Sequence, residues 1–398
     1  MFNRINSRFS IVVLLTAMAF TSAASIFEAK VQPSSANGLV VHEWGTFTSV
    51  STADGQRQTW SPLTGPSDLP SFVYRSKQQT DFARGNCVKC GWAYVRMETP
   101  VLYFYSDKEL PVSVKVGFPQ GSITEWFPQA SQSERGINWT NFMVKPGATP
   151  NFPTEKAESH YYPARETDAA PIQLGAEQEK FLFYRGIGNF DLPITAKLAG
   201  DQVVLKNSGR EEMAQVILFE NRGGQVGWRI LNSLKGETTI ARPALGQSLD
   251  SLRSELQKAL TDQGLYEKEA AAMVKTWSNS WFEDGLRVFY IVPRKTTDAI
   301  LPITITPAPA ELNRVLVGRL EIITPEMELA IQSAAQKFFE GSVESRAEAL
   351  QSLHPYGRFA EPTLRRLMEN AHKVGQAKAS QPYWDFMNAA LADGTSKR

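Results

Sequence analysis

ETPVLYFYSDKELPVSVKVGFPQGSITEWFP, residues Glu98–Pro128, declares the architecture most openly. Val101–Tyr105 is an apolar and aromatic run, and Ser106–Pro111 carries polar turn chemistry. Val112, Val114 and Val116 then alternate with Ser113, Lys115 and Gly117 at the period of a half-buried strand. Pro119-Gln120-Gly121 makes a second turn, and Ile123–Phe127 starts a third strand. The spacing predicts an antiparallel meander.

Upstream, Leu39–Val50 (LVVHEWGTFTSV) is rich in β-branched and aromatic residues and reads as a strand. Val40, His42, Trp44 and Thr46 share one face, and Val41, Glu43, Gly45 and Phe47 share the other. Ser51–Arg84 and Gln129–Glu177 have scattered Pro and Gly and no sustained period, so both read as long loops. Downstream, Lys180–Arg185, Ile194–Leu198, Gln202–Leu205, Gln215–Glu220 and Val226–Leu231 form a series of short strands separated by glycine turns. Ser248 is an N-cap for a helix with the stripe Leu249, Leu252, Leu256 and Leu260, ended by Gly264. A second helix, about residues 267–280, aligns Ala270, Val274, Trp277 and Trp281. Leu286–Val292 and Arg314–Ile323 are two more strands, Thr324-Pro325-Glu326 opens a helix, and the rest is amphipathic helix.

This pattern predicts an α+β fold, mainly antiparallel β in sandwich-like units, with a C-terminal helical part covering a small sheet. The boundaries that follow are a signal peptide over 1–24, a linker over 25–38 and a β-rich domain over 39–177. A sandwich-like domain or continuation follows over 178–245, then an α+β domain over 246–398. Arg4 and Arg8, the apolar Phe9–Phe20 and the small residues Ser22-Ala23-Ala24 have the pattern of a cleaved secretory signal within Met1–Ser25. That segment implies a secreted or periplasmic location and no membrane span in the mature chain. Lys+Arg 42 against Asp+Glu 41 leaves no basic footprint for nucleic acid.

Cys87-x-x-Cys90 is the sharpest local feature. In an oxidising compartment it reads first as a disulfide, next as half of a metal site with zinc as its cofactor, and last as a redox pair. Four histidines, His42, His160, His354 and His372, are the only others that could complete a zinc site. The candidate catalytic set is His42, Glu43, Glu98 and His160, although neighbours His42 and Glu43 point to opposite strand faces. Glu98, Glu125, Glu220 and Glu283 border apolar runs and call for arginine partners, for which Arg96, Arg185, Arg287 and Arg319 are placed. Trp44, Trp126, Tyr161, Arg165 and Arg185 are the candidate binding residues, as aromatic and cationic groups on strands and loops. No G-x-S-x-G, S-x-x-K or P-loop occurs.

The leading expectation is therefore an exported cell-envelope protein, without a cofactor, that binds a glycan or an envelope protein. The alternatives are a secreted hydrolase of polysaccharide or peptide built on the catalytic set, and a metal or redox protein centred on Cys87 and Cys90.

Overall fold

The computed structural model describes residues 38–63, 68–83, 92–133, 135–373 and 377–392. In chain order the first strands are β1 (Val40–Thr52), β2 (Arg57–Gln58), β3 (Tyr74–Arg75), β4 (Val95–Tyr105), β5 (Leu110–Gly117), β6 (Gly121–Phe127), β7 (Ser131–Ser133) and β8 (Gly136–Val144). They continue as β9 (Ile172–Leu174), β10 (Glu177–Glu179), β11 (Leu182–Gly188), β12 (Ile194–Ala199), β13 (Gln202–Asn207), β14 (Val216–Arg222), β15 (Gln225–Leu231) and β16 (Glu237–Ala241). The last are β17 (Gly285–Ile291), β18 (Ile303–Thr306) and β19 (Glu311–Ile323). Helices are α1 (Lys77–Ala83), α2 (Leu249–Asp262), α3 (Glu267–Thr276), α4 (Arg294–Ile300), α5 (Pro325–Glu340), α6 (Val343–Gln351), α7 (Ala360–Lys373) and α8 (Ala377–Ala392). The fold is α+β, as the sequence pattern implies.

A ten-stranded sheet in the order β15-β14-β17-β19-β1-β4-β11-β6-β3, with β2 beside β1, organises the molecule. It takes strands from each of the stretches 39–177, 178–245 and 246–398. At its centre β1 runs parallel to β19, from Val40 opposite Glu311 to Thr52 opposite Ile323, and antiparallel to β4. A six-stranded sheet (β10-β9-β8-β5-β18, with β7 on β8) and a three-stranded sheet (β12-β13-β16) complete the β structure.

One face of the large sheet meets both smaller sheets across an apolar layer that includes Val41, Phe47, Leu102, Phe104, Val112, Val114 and Leu205. The opposite face carries Trp44, Val101, Tyr103, Phe183 and Phe289 against the stripes of α2 and α3, where Leu252, Leu256, Ala270, Trp277 and Trp281 are buried. The caps are those the sequence calls for. Ser248 accepts from Ser251 N–H and Thr324 from Met327 N–H, each satisfying an orphan donor of the first turn. Helices α5, α7 and α8 bury a third cluster with Val50, Trp60 and Ile323.

The meander expected over residues 98–128 is not formed. β4 and β6 lie in the large sheet with β11 inserted between them, and β5 crosses to the six-stranded sheet to pair with β8 and β18. The expected loop at 129–177 likewise contains the nine-residue strand β8. Its alternation is hidden because Asn141, at φ 54°, sits at a register shift. Buried Ile137 and Trp139 therefore precede buried Phe142 and Val144 with the parity changed.

A second shift sits at the centre of the large sheet, where β4 slips against β1 between Trp44 and Thr46. There Thr99 adopts φ 46°, rare for a β-branched residue. Pro100 packs onto Gly45, where a Cβ would lie 3.0 Å from the Pro100 Cα. Close approach recurs at Gly318 of β19, where a Cβ would fall 2.1 Å from the Tyr290 ring. Gly318→Ala is expected to lower stability by about 2 kcal/mol through overpacking, read as the midpoint of urea unfolding; an unchanged midpoint would show that the ring moves aside freely.

Candidate functional site

The strand Val40–Thr52 distributes its polar residues to three places. His42 faces α3: its Nδ1 lies 2.8 Å from Glu269 Oε2, and both residues are wholly buried. Glu269 also accepts from the Tyr105 hydroxyl and the Tyr266 backbone N–H, each at 2.8 Å. The His42 ring lies 4.5 Å from the Tyr266 ring, and burial, with the Glu311 and Glu269 charges, pushes the Tyr266 hydroxyl up to about 12. A carboxylate with these donors ties strand to helix.

Glu43 points to the other face. It takes the Tyr184 hydroxyl on one oxygen and Arg314 Nε on the other. Arg314 also donates through Nη1 to Asp298 and to the Leu301 carbonyl, each at 2.7 Å, while its Nη2 is buried without a partner among the described residues. Arg314 lines a cleft of about 370 Å³ with Arg294, Asn313, Gln263, Glu211 and Glu212, and apolar Met213, Ile291, Val292, Pro293 and Val315. Arg294 Nη1 is held by the Leu312 carbonyl at 2.7 Å, and Glu211 is paired with Lys295 at 2.9 Å.

Beyond the slipped register, Thr46 and Thr48 open a buried ionic layer on the helix-facing side of the sheet. Arg96 pairs with Glu125 at 3.1 Å, Arg287 with Glu321 at 2.8 Å, and Arg358 with Glu98 at 3.1 Å. Arg185 donates to Asp68 at 3.0 Å and to Thr99 Oγ1 at 3.2 Å. Arg319 reaches Glu321 only at 3.3 Å and Glu283 at 3.5 Å. Its Nε, like the Thr46 and Thr48 hydroxyls, has no partner among the described residues. Burial, reinforced by the neighbouring Arg287, lowers the Arg319 guanidinium to about 10. Burial raises the Glu98 carboxyl, but Arg358 more than offsets this and holds it below its usual range.

His160 stands at the rim of this layer. Its Nδ1 lies 2.5 Å from Asp68 Oδ2 and its Nε2 faces the Asn279 side-chain oxygen. Asp68 thus joins the His160 imidazole to the Arg185 guanidinium at this rim.

The catalytic set does not assemble as a unit: His42, Glu43, Glu98 and His160 hold separate partners in Glu269, Arg314, Arg358 and Asp68. Tyr161 and Arg165 meet at one point, on the buried Glu179, each at 2.9 Å. Trp44 and Tyr161 are buried, and Trp126 is only 8% exposed, stacked on Tyr74. Cys87 and Cys90 lie outside the described residues, as do Met1–Ser25. Among the described residues no group of three or more His, Cys, Asp or Glu side chains could hold a metal, and no helix is long and apolar enough to cross a membrane. Sequence reasoning missed Asp68, Glu269, Arg314 and Arg358. An arginine opening the apolar run RVLVGRLEII was the signal available for Arg314; Asp68, in a loop of Pro and Gly, had none.

No family model matches the chain, and no curated protein does. Among solved structures it resembles the Fcho1 Mu homology domain of Danio rerio with bound Eps15 peptide, at 6% identity, covering 71% of this chain and 94% of that one with a TM-score of 0.25. It also resembles the yeast delta-COP-I mu-homology domain complexed with the Dsl1 WxWxV peptide, at 10% identity, 72% and 96% coverage and a TM-score of 0.29. Scores this low assign neither fold nor function.

The expectation of an exported envelope protein that presents aromatic loops to a ligand is corrected by burial. The aromatic side chains meant to present a glycan surface are packed inside. The neighbours found are mu-homology domains, two of them solved with a peptide, and at this level of likeness they lend the expectation no support. The glycan ligand is withdrawn with it, and the hydrolase with the dispersal of its catalytic set. The secreted or periplasmic location, the signal peptide, the disulfide and the metal or redox alternative rest on Met1–Ser25, Cys87 and Cys90, outside the described residues, and are not carried forward.

Burial raises the Asp68 carboxyl, but Arg185 and His160 outweigh it and hold the group well below the usual carboxylate range. A depressed carboxyl contributes stability that is present above its unfolded value of about 4 and is lost as pH falls below it. Asp68→Asn should therefore cost about 3 kcal/mol at neutral pH, because it leaves Arg185 uncompensated, and the gap to the native chain should close in acid. Denaturant titrations at several pH values check this; a gap independent of pH would contradict it.

Proposed function

We propose that the chain is a binding protein that seats a carboxylate, from a side chain or a chain end of a protein partner, in the 370 Å³ cleft at the start of β19. The observation that carries the reading is Arg314. Its guanidinium is fixed by Glu43, Asp298 and the Leu301 carbonyl, while Nη2 is buried behind the cleft lining without a partner among the described residues, so that the carboxylate reaches it as that lining yields. A preorganised guanidinium loses little freedom on binding and matches the planar geometry of a carboxylate. The apolar side chains Met213, Ile291 and Val315 supply contact area around it. Glu211 and Glu212 at the rim would oppose an anion, and they are drawn off by Lys295 and Ser233.

Fluorescence polarisation with a library of labelled hexapeptides, each made with a free and an amidated C-terminus and with and without an acidic residue, tests the reading. Carboxylate-bearing members should bind at least tenfold more tightly than their neutral counterparts, and Gln263→Ala at the rim should weaken them several-fold without unfolding the chain. Equal binding of charged and neutral members would overturn it.

A further inference from the structure

The ionic layer contains a cation whose closest carboxylate contact is the longest in it. Arg319 is wholly buried, in register with Thr48 of β1, and stacked over Phe359 at 4.7 Å. Its closest carboxylate contacts, 3.3 and 3.5 Å, are long for charge-assisted bonds. Glu321 gives its shorter contacts, 2.8 and 3.0 Å, to Arg287. Arg319 Nη1 is spent on Ser280 at 3.1 Å, and Nε is left over. On the adjoining strand the hydroxyls of Thr46 and Thr48, both fully buried on the same face, are also unpartnered among the described residues. A buried donor without an acceptor costs about 1–3 kcal/mol, and an under-compensated buried charge costs more. These three donors lie on one face of two adjoining strands, where an acceptor-only species would satisfy them together.

We propose that the chain holds a small anion between β1 and β19, bound by Arg319 Nε and the hydroxyls of Thr48 and Thr46. The chemistry is that of a halide or of one compact oxyanion group. This site is separate from the cleft over Arg314, lies on the opposite face of the sheet and does not depend on that reading. Burial also acts in its favour, since it pushes the Glu283 carboxyl up against the pull of Arg319, Arg358 and Arg287, while the closer Glu321 is engaged by Arg287.

The test is thermal unfolding of the full chain in methanesulfonate buffer, titrated with chloride, bromide or inorganic phosphate at constant ionic strength, with bromide anomalous scattering from crystals. The expected result is a saturable rise in midpoint with the small anions, an anomalous peak between Thr48 and Arg319, and at least a tenfold loss of apparent affinity in Thr48→Val. A response to halides alone assigns a halide site; a response to phosphate as well assigns an oxyanion. Should Thr48→Val fail to fold, Thr46→Val and the anomalous map decide. A midpoint indifferent to the anion with no peak, leaving internal waters only, would overturn the proposal, as would a rise in the variants equal to that of the native chain.

Discussion

Glu43 and Arg314 form a wholly buried ion pair across the parallel seam of β1 and β19, the one parallel pairing among the described residues of an otherwise antiparallel sheet. A parallel neighbour cannot be reached by a tight turn. Here the two strands lie some 270 positions apart in the chain, |i−j| being 271 for the pair itself. The pair therefore does what local sequence cannot. A slip of one residue would turn every side chain of β1 to the wrong face, placing Glu43 against α3 and His42 against the smaller sheets, where neither has its partner. The seam also explains why β1, though it opens the described chain, is central rather than an edge strand.

From this seam the polar groups are arranged by register. His42 meets Glu269 and fastens α3; Glu43 meets Arg314 and sets the floor of the cleft; Thr46 and Thr48 line the ionic layer. The change from apolar to ionic along one sheet face coincides with the slipped register at Thr99 and Pro100. Buried ion pairs of this kind contribute little net stability compared with apolar packing, but breaking one is costly. They act here as a specification of register.

Local features were legible in the sequence. The helix caps at Ser248 and Thr324, the stripes of α2 and α3, the strand at Leu39–Val50 and the need of the embedded glutamates for arginine all follow from period and from the cost of an unpaired charge. Long-range pairing was not legible. The run 98–128 has the spacing of a meander, yet β5 leaves the sheet and β11 takes its place, because apolar faces on both sides of β4 can be covered only by crossing to a second layer. The strand Gly136–Val144 escaped because a bulge at Asn141 breaks its period. For the candidate site, the strand position of Glu43, the apolar border at Glu98 and the loop around His160 are visible in the sequence, but the partner of each is not, since it comes from a distant segment. The aromatic residues were misassigned for a related reason: a Trp on a strand looks the same in sequence whether the face it occupies is open or covered by helices.

A double-mutant cycle between Glu43 and Arg314, using Glu43→Gln and Arg314→Met and read by urea unfolding, tests most directly whether the parallel seam is held by charge. The account predicts strong coupling, about 2 kcal/mol or more, because each single change strands a buried charge while the double change removes both. Additive single changes, within about 0.5 kcal/mol, would contradict it.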